Sequence, residues 1–96
     1  MSNKVIILGG GVAGMSAAHE LIERGFEVEI YEKQAKYVGG KARSVNVPNT
    51  AIDQNSALPG EHGFRFIPGF YKHLTNTMQR IPFKGNKKGV LDNLVA

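Results

Sequence analysis

Polar and apolar positions follow three patterns in turn within the first 31 residues. Lys4–Leu8 is an apolar, β-branched run closed by three glycines, and it predicts a fully buried parallel strand. Over residues 12–24 the apolar positions Ala13, Ala17, Ala18, Leu21 and Ile22 recur at helical spacing, with Gly25 placed to cap the C-terminus. In Glu27–Tyr31, Val28 and Ile30 alternate with Glu27 and Glu29, as in a second strand. Strand, helix and strand in so short a span predict a βαβ unit with a right-handed crossover.

The rest of the chain is less periodic. Residues 34–46 are polar and broken by Gly39-Gly40. Residues 44–47 predict a short strand before Pro48, residues 49–59 have turn composition, and residues 64–67 predict another short strand. A second helix is expected over residues 70–80, with Phe70, Leu74, Met78 and Ile81 on one face and Pro82 as its stop. Lys, Gly and Asn follow, and then an apolar end over residues 90–96.

Composition narrows the class. Ninety-six residues, 42% hydrophobic and 21% charged, fit one small globular domain over residues 1–96 and argue against disorder. The net charge of +4 raises nucleic acid as a partner. However, the densest basic stretch, Lys84, Lys87 and Lys88, lies in Gly/Asn sequence without interleaved aromatics, so no specific nucleic-acid interface is expected. With no cysteine there is no disulfide, thiol nucleophile or sulfur-linked flavin. His, Asp and Glu show no metal-ligand spacing. The opening apolar run is too short for a signal core or a membrane span, so a soluble cytoplasmic protein is expected.

The glycines carry the chemistry. Gly9, Gly11 and Gly14 fit G-x-G-x-x-G directly after a strand and at the opening of a helix. Gly9 permits the tight turn, Gly11 leaves room for a diphosphate, and Gly14 lets helix and strand pack closely. The diphosphate then meets the backbone N–H groups of the first turn, where Val12 and Ala13 stand, at the positive end of the helix dipole. Glu32, followed by Lys33, ends the second strand where a carboxylate would accept ribose hydroxyl bonds and repel a 2′-phosphate. Together these features predict an α/β, Rossmann-like dinucleotide-binding fold, with NADP disfavoured. They leave FAD and NAD open.

Residues 38–44 (VGGKARS) bear on that choice. They resemble the second glycine motif of flavin-containing amine oxidases, carotenoid (phytoene) desaturases and related FAD-dependent oxidoreductases. Gly9 to Ala18 and residues 60–82 also resemble desaturase-like members. The resemblance implies FAD as cofactor, with Gly39, Gly40, Lys41 and Arg43 lying against it and Gly63 allowing close approach to the flavin ring. Lys41 departs from the Arg of many relatives, so a bidentate contact becomes a point charge. His62 and Arg65, in a polar cluster with Glu61, are the catalytic candidates, by polarising the flavin. The alternative is a surface turn whose His and Arg bond to backbone carbonyls. His19 and His73 are expected to be exposed helix residues.

Enzymes of this resemblance are several-fold longer, and one βαβ unit makes an incomplete sheet with little stability margin. The expected function is therefore the N-terminal FAD-binding portion or subunit of a flavin-dependent oxidoreductase acting on a small molecule. Its expected partner is a complementary chain or the C-terminal remainder of the same enzyme. The alternatives are a stand-alone, non-catalytic FAD- or NAD-binding module, and an interaction protein that has lost the ligand.

Overall fold

In the computed structural model, residues 3–64 and 66–95 are described. The chain divides into two compact units, residues 1–64 and residues 65–96.

The first unit contains the βαβ element. Strand β1 (Lys4–Leu8) leads through the glycines to helix α1 (Val12–Glu23), which returns to strand β2 (Glu27–Tyr31). β1 and β2 pair in parallel, with Lys4 opposite Glu27 and Leu8 opposite Tyr31. The helix ends where the glycine pattern predicts. Gly25 adopts φ +89, a conformation that costs glycine little, and its N–H donates to the Ile22 carbonyl at 3.0 Å. Ala18, 5% exposed, is the buried hydrophobic residue of the core among the described residues.

β1 is not buried on both faces, as its apolar run predicts. Val5 and Ile7 are half-buried, whereas Ile6 is 57% and Leu8 84% exposed. One helix covers one face of a two-stranded sheet, and among the described residues of this unit nothing covers the other. On β2, Ile30 is exposed and Glu29 is half-buried, the reverse of the predicted alternation. The reason is a polar network: Glu29 accepts from the Lys4 ammonium at 2.5 Å and from the Tyr31 hydroxyl at 2.8 Å. Lys4 and Tyr31 together hold the Glu29 carboxyl below its ordinary range.

Beyond β2, strands β3 (Val45–Asn46) and β4 (Pro59–Gly60) form a short antiparallel hairpin. β3 lies within the predicted strand. β4 and a 3₁₀ turn at Gln54–Ser56 fall in sequence that reads as turn throughout. Ser44 Oγ donates to Glu61 Oε1 at 2.5 Å and ties the hairpin's ends together. His19 is only partly exposed, contrary to expectation. Its ring lies along α1 toward Glu23, with Nε2 3.5 Å from the carboxylate, and its Nδ1 is buried without a hydrogen-bond partner.

In the second unit, helix α2 (Lys72–Arg80) begins two residues later than the periodicity predicts. Pro68-Gly69 form a turn in which the Tyr71 N–H donates to the Pro68 carbonyl at 2.9 Å, leaving Phe70 outside the helix and 74% exposed. Leu74, Met78 and Ile81 are half-buried on the predicted face, and His73 is exposed. Phe64, Phe66 and Ile67 are not in a strand, a correction to the predicted one, and Arg65 lies outside the described residues. β propensity reflects the fit of a side chain to a half-buried pleated surface, and here Phe64 is 94% and Phe66 68% exposed. The apolar end forms a 3₁₀ turn, Gly89–Asn93, anchored by the Val90 N–H on the Ile81 carbonyl at 3.0 Å.

Candidate functional site

The loop between β1 and α1 shows a separate physical cause for each glycine. Gly9 has φ +110, and its N–H donates to the Tyr31 carbonyl at 2.7 Å, turning the chain over the end of β2. At Gly14 a β-carbon would collide with the Gly9 carbonyl oxygen and stand 3.3 Å from Ile7 Cγ2. Close helix–strand approach therefore excludes a side chain there. At Gly11 the situation is opposite: its φ of −82 suits any residue, and a β-carbon would meet nothing within 4 Å. No protein neighbour explains that glycine. It keeps open the space above the N-terminus of α1.

That N-terminus suits an anion. Gly11 is the N-cap and supplies no side-chain bond, and no acidic residue stands in the first turn, which starts with the exposed Val12 and Ala13. The early N–H groups of a helix have no intrahelical acceptor, and the dipole adds positive potential at the same place.

Gly10, the unassigned middle residue of the motif, is the hub of the site. It is buried, its N–H donates to Glu32 Oε1 at 2.9 Å, and its carbonyl accepts from the Gly39 N–H at 2.8 Å. A β-carbon there would press on Val38 Cγ1 at 3.2 Å. The one sequence signal for this role is the run of three glycines, where the fingerprint needs only two.

Glu32 sits at the end of β2, where the fingerprint expects its acid. Its second oxygen, Oε2, accepts from the Gln34 N–H at 2.6 Å. The Gln34 and Gly10 N–H groups hold the carboxyl below its ordinary value of 4.5. Each oxygen accepts one N–H and retains a lone pair for a further donor, so the group can still receive hydroxyl bonds. The favourable ionisation is complete above the ordinary value and is lost as pH falls through the lowered one. A ¹³C titration of the Glu32 carboxyl is expected to show a midpoint below that of the same residue in urea-unfolded chain. Equal midpoints would remove the two N–H bonds from the account.

The second glycine motif lies directly on the first. Besides the Gly39–Gly10 bond, Gly39 and Gly40 take φ +114 and +56, and a β-carbon on Gly40 would stand 3.4 Å from Gly11 Cα. A 3₁₀ turn, Gly40–Ala42, follows, with Lys41 exposed. The Arg43 guanidinium lies 3.7 Å from the centroid of the Tyr37 ring, a cation–π contact, and Nη1 donates to the Ser44 carbonyl at 3.3 Å. Lys33 is exposed next to Glu32.

Of the catalytic candidates, His62 has no hydrogen bond to this cluster among the described residues. It and Gly63 are exposed. Arg65 lies outside the described residues. Among the described residues there is no group of acids and histidines that could hold a metal, and no helix long and apolar enough to cross a membrane.

A parallel βαβ unit with an open helix N-terminus, a strand-end acid and a second glycine turn folded onto the first defines a dinucleotide-binding module. The chain belongs to the NAD(P)-binding Rossmann-like domain family, whose model matches residues 7–81. Its relatives are oxidoreductases by name, carotenoid desaturases among them. Zeta-carotene desaturase of Synechocystis sp. is 39% identical over 83 residues, covering 86% of this chain and 15% of the relative. The zeta-carotene desaturase of Solanum lycopersicum is 54% identical over 86 residues, 86% of this chain and 13% of the relative. Bilirubin reductase of Mediterraneibacter gnavus is 35% identical over 78 residues, 81% of this chain and 10% of the relative. The chain thus spans between 10% and 15% of the length of these proteins. No solved structure matches it.

Proposed function

We propose that this chain is the FAD-binding N-terminal portion or subunit of a flavin-dependent, desaturase-like oxidoreductase acting on a small molecule, and that it holds the ADP part of the cofactor. The observation that carries this reading is the docking of Gly39-Gly40 on Gly10-Gly11. It places a second stretch of side-chain-free backbone beside the space above α1. A dinucleotide lying there meets two backbone walls.

The residues divide the work by chemistry. The first-turn N–H groups of α1, from Val12 to Gly14, receive the diphosphate oxygens, and Gly11 leaves their approach clear. Glu32 accepts the adenosine ribose hydroxyls, and its negative charge excludes a 2′-phosphate. Arg43, held over the Tyr37 ring, and the exposed Lys41 contribute positive charge beside the diphosphate. When bound, FAD supplies the hydride chemistry. The residues of this chain bind and orient it. His62 and Gly63 are assigned to the flavin end of the cofactor by the resemblance alone.

The uncovered face of β1 supports a partner. Ile6 and Leu8 are exposed on the two-stranded sheet, and a complementary polypeptide supplying the remainder of the enzyme covers them. Catalysis then requires both parts.

Flavin fluorescence tests the reading. Titration of FAD with the chain is expected to quench its emission. ADP should compete, and 2′-phospho-ADP should compete poorly. Glu32→Gln keeps one acceptor oxygen for the backbone but is expected to weaken FAD and ADP binding about tenfold, as for the loss of a charge-assisted bond. It should also narrow the gap between ADP and 2′-phospho-ADP. Unchanged affinities would overturn the ribose assignment.

A further inference from the structure

One cation of the first unit is held in place by the chain itself. The Arg43 guanidinium lies 3.7 Å from the centroid of the Tyr37 ring, and its Nη1 donates to the Ser44 carbonyl at 3.3 Å. The backbone brings these side chains together. Gly39 turns at φ +114, and after the 3₁₀ turn Gly40–Ala42 the chain doubles back. Arg43 Cβ then stands 3.4 Å from the place of a β-carbon on Gly39. Among the described residues, no carboxylate forms an ion pair with Arg43.

Tyr37 acts through the face of its ring. Its hydroxyl makes no hydrogen bond among the described residues. A guanidinium carries five N–H donors, and the Ser44 carbonyl takes one of them. The others are available to a ligand. Lys41, exposed two residues earlier, has no such support. It must give up its side-chain freedom to meet an anion, whereas Arg43 has already given up much of its own. Gly40, at the start of the same turn, packs on Gly11, the N-cap of α1. The turn that leads to Arg43 therefore adjoins the positive end of that helix, and cation and helix end both favour an anion.

We propose that Tyr37 is a positioning residue of the dinucleotide site. Its ring holds the Arg43 guanidinium ready beside the diphosphate, and so makes the site selective for ligands that carry that group. The inference rests on the assignment of the diphosphate to the N-terminus of α1. Tyr37 itself lies just outside the second glycine motif, residues 38–44, which assigns it no role. A prepositioned guanidinium loses less freedom on binding than an unsupported side chain, and its planar fork matches phosphate oxygens. The phenol hydroxyl plays no part, so a phenylalanine ring at position 37 serves equally.

The test compares the full chain with Tyr37→Leu and Tyr37→Phe in ¹⁵N–¹H NMR titrations with ADP and with adenosine, which lacks the diphosphate. Tyr37→Leu is expected to weaken ADP binding about two- to fivefold, the range of an exposed cation–π contact, and to leave adenosine unchanged. Tyr37→Phe should bind ADP as the parent chain does. In an Arg43→Gln background, Tyr37→Leu should have no further effect. The ADP affinity of Tyr37→Leu should also fall less steeply with added salt than that of the parent. Without ligand, the Arg43 side-chain protons should lie upfield in the parent and in Tyr37→Phe, and at ordinary positions in Tyr37→Leu. The proposal is overturned if Tyr37→Leu binds ADP as well as the parent or better, or weakens adenosine as much as ADP. Failure of the parent chain to bind ADP is a different result. It removes the diphosphate assignment itself, and this inference with it.

Discussion

Gly14→Ala is expected to destabilise the first unit by about 2 kcal/mol or more, although alanine is the better helix former. Two effects oppose each other. Replacing a glycine with alanine within a helix contributes up to about 1 kcal/mol of propensity, and less in the first turn where Gly14 stands. Against it, the new methyl would collide with the Gly9 carbonyl oxygen and crowd Ile7 Cγ2 at 3.3 Å. Overpacking costs typically about 1–3 kcal/mol, and more when the obstacle is backbone that cannot rotate aside. Relief would require α1 to lift from β1, which would unpack Ala18 as well. The measurement is the urea midpoint followed by circular dichroism. A lower midpoint is predicted. An unchanged or higher one would mean that α1 does not lie so close to the Gly9 turn.

Gly11→Ala should behave in the opposite way. Its β-carbon would enter open space at a φ that alanine adopts freely, so the urea midpoint should move by only a few tenths of a kcal/mol, the usual difference between glycine and alanine at an N-cap. Ligand binding should nevertheless fall by roughly 10- to 100-fold, because the methyl occupies the approach to the N–H groups of α1, at the cost of a steric clash. The pair of variants separates two kinds of glycine within one motif. Gly14 is required by the fold, and Gly11 by what the fold holds. Fluorescence titration with FAD and ADP reads the second effect. Retained affinity in Gly11→Ala would remove the diphosphate from this loop.

The βαβ element was legible in the sequence because its information is local and periodic. The apolar run of Lys4–Leu8, the spacing of Ala18 and Leu21, and Gly25 as a stop each report on neighbours within a few residues. The glycine fingerprint and Glu32 were legible for a related reason, since a sharp turn and a strand-end acid need particular residue types at a set distance. Contacts between distant segments were not. The run of three glycines marks Gly10, but it does not announce that its carbonyl receives the Gly39 N–H across 29 positions of chain, or that Glu32 turns back to its N–H.

Elements without a period were also hidden. β4 consists of Pro59 and Gly60, two residues that usually break strands, and it exists because Val45 and Asn46 pair with them. Phe66 and Ile67 show the converse, an apolar, β-prone pair that lies outside any strand. The exposure of Ile6 and Leu8 is equally invisible to local sequence. An apolar run reports that a strand is built to be covered. It does not report what covers it.

The central claim is that the two glycine turns form one dinucleotide site. It is tested most directly by ¹⁵N–¹H spectra of the full chain titrated with FAD. The account predicts that the amides of residues 10–14, of Gln34 beside Glu32, and of residues 39–41 shift together along one binding curve. Shifts restricted to residues 10–14 with residues 39–41 unmoved, or no shifts at either turn, would contradict it.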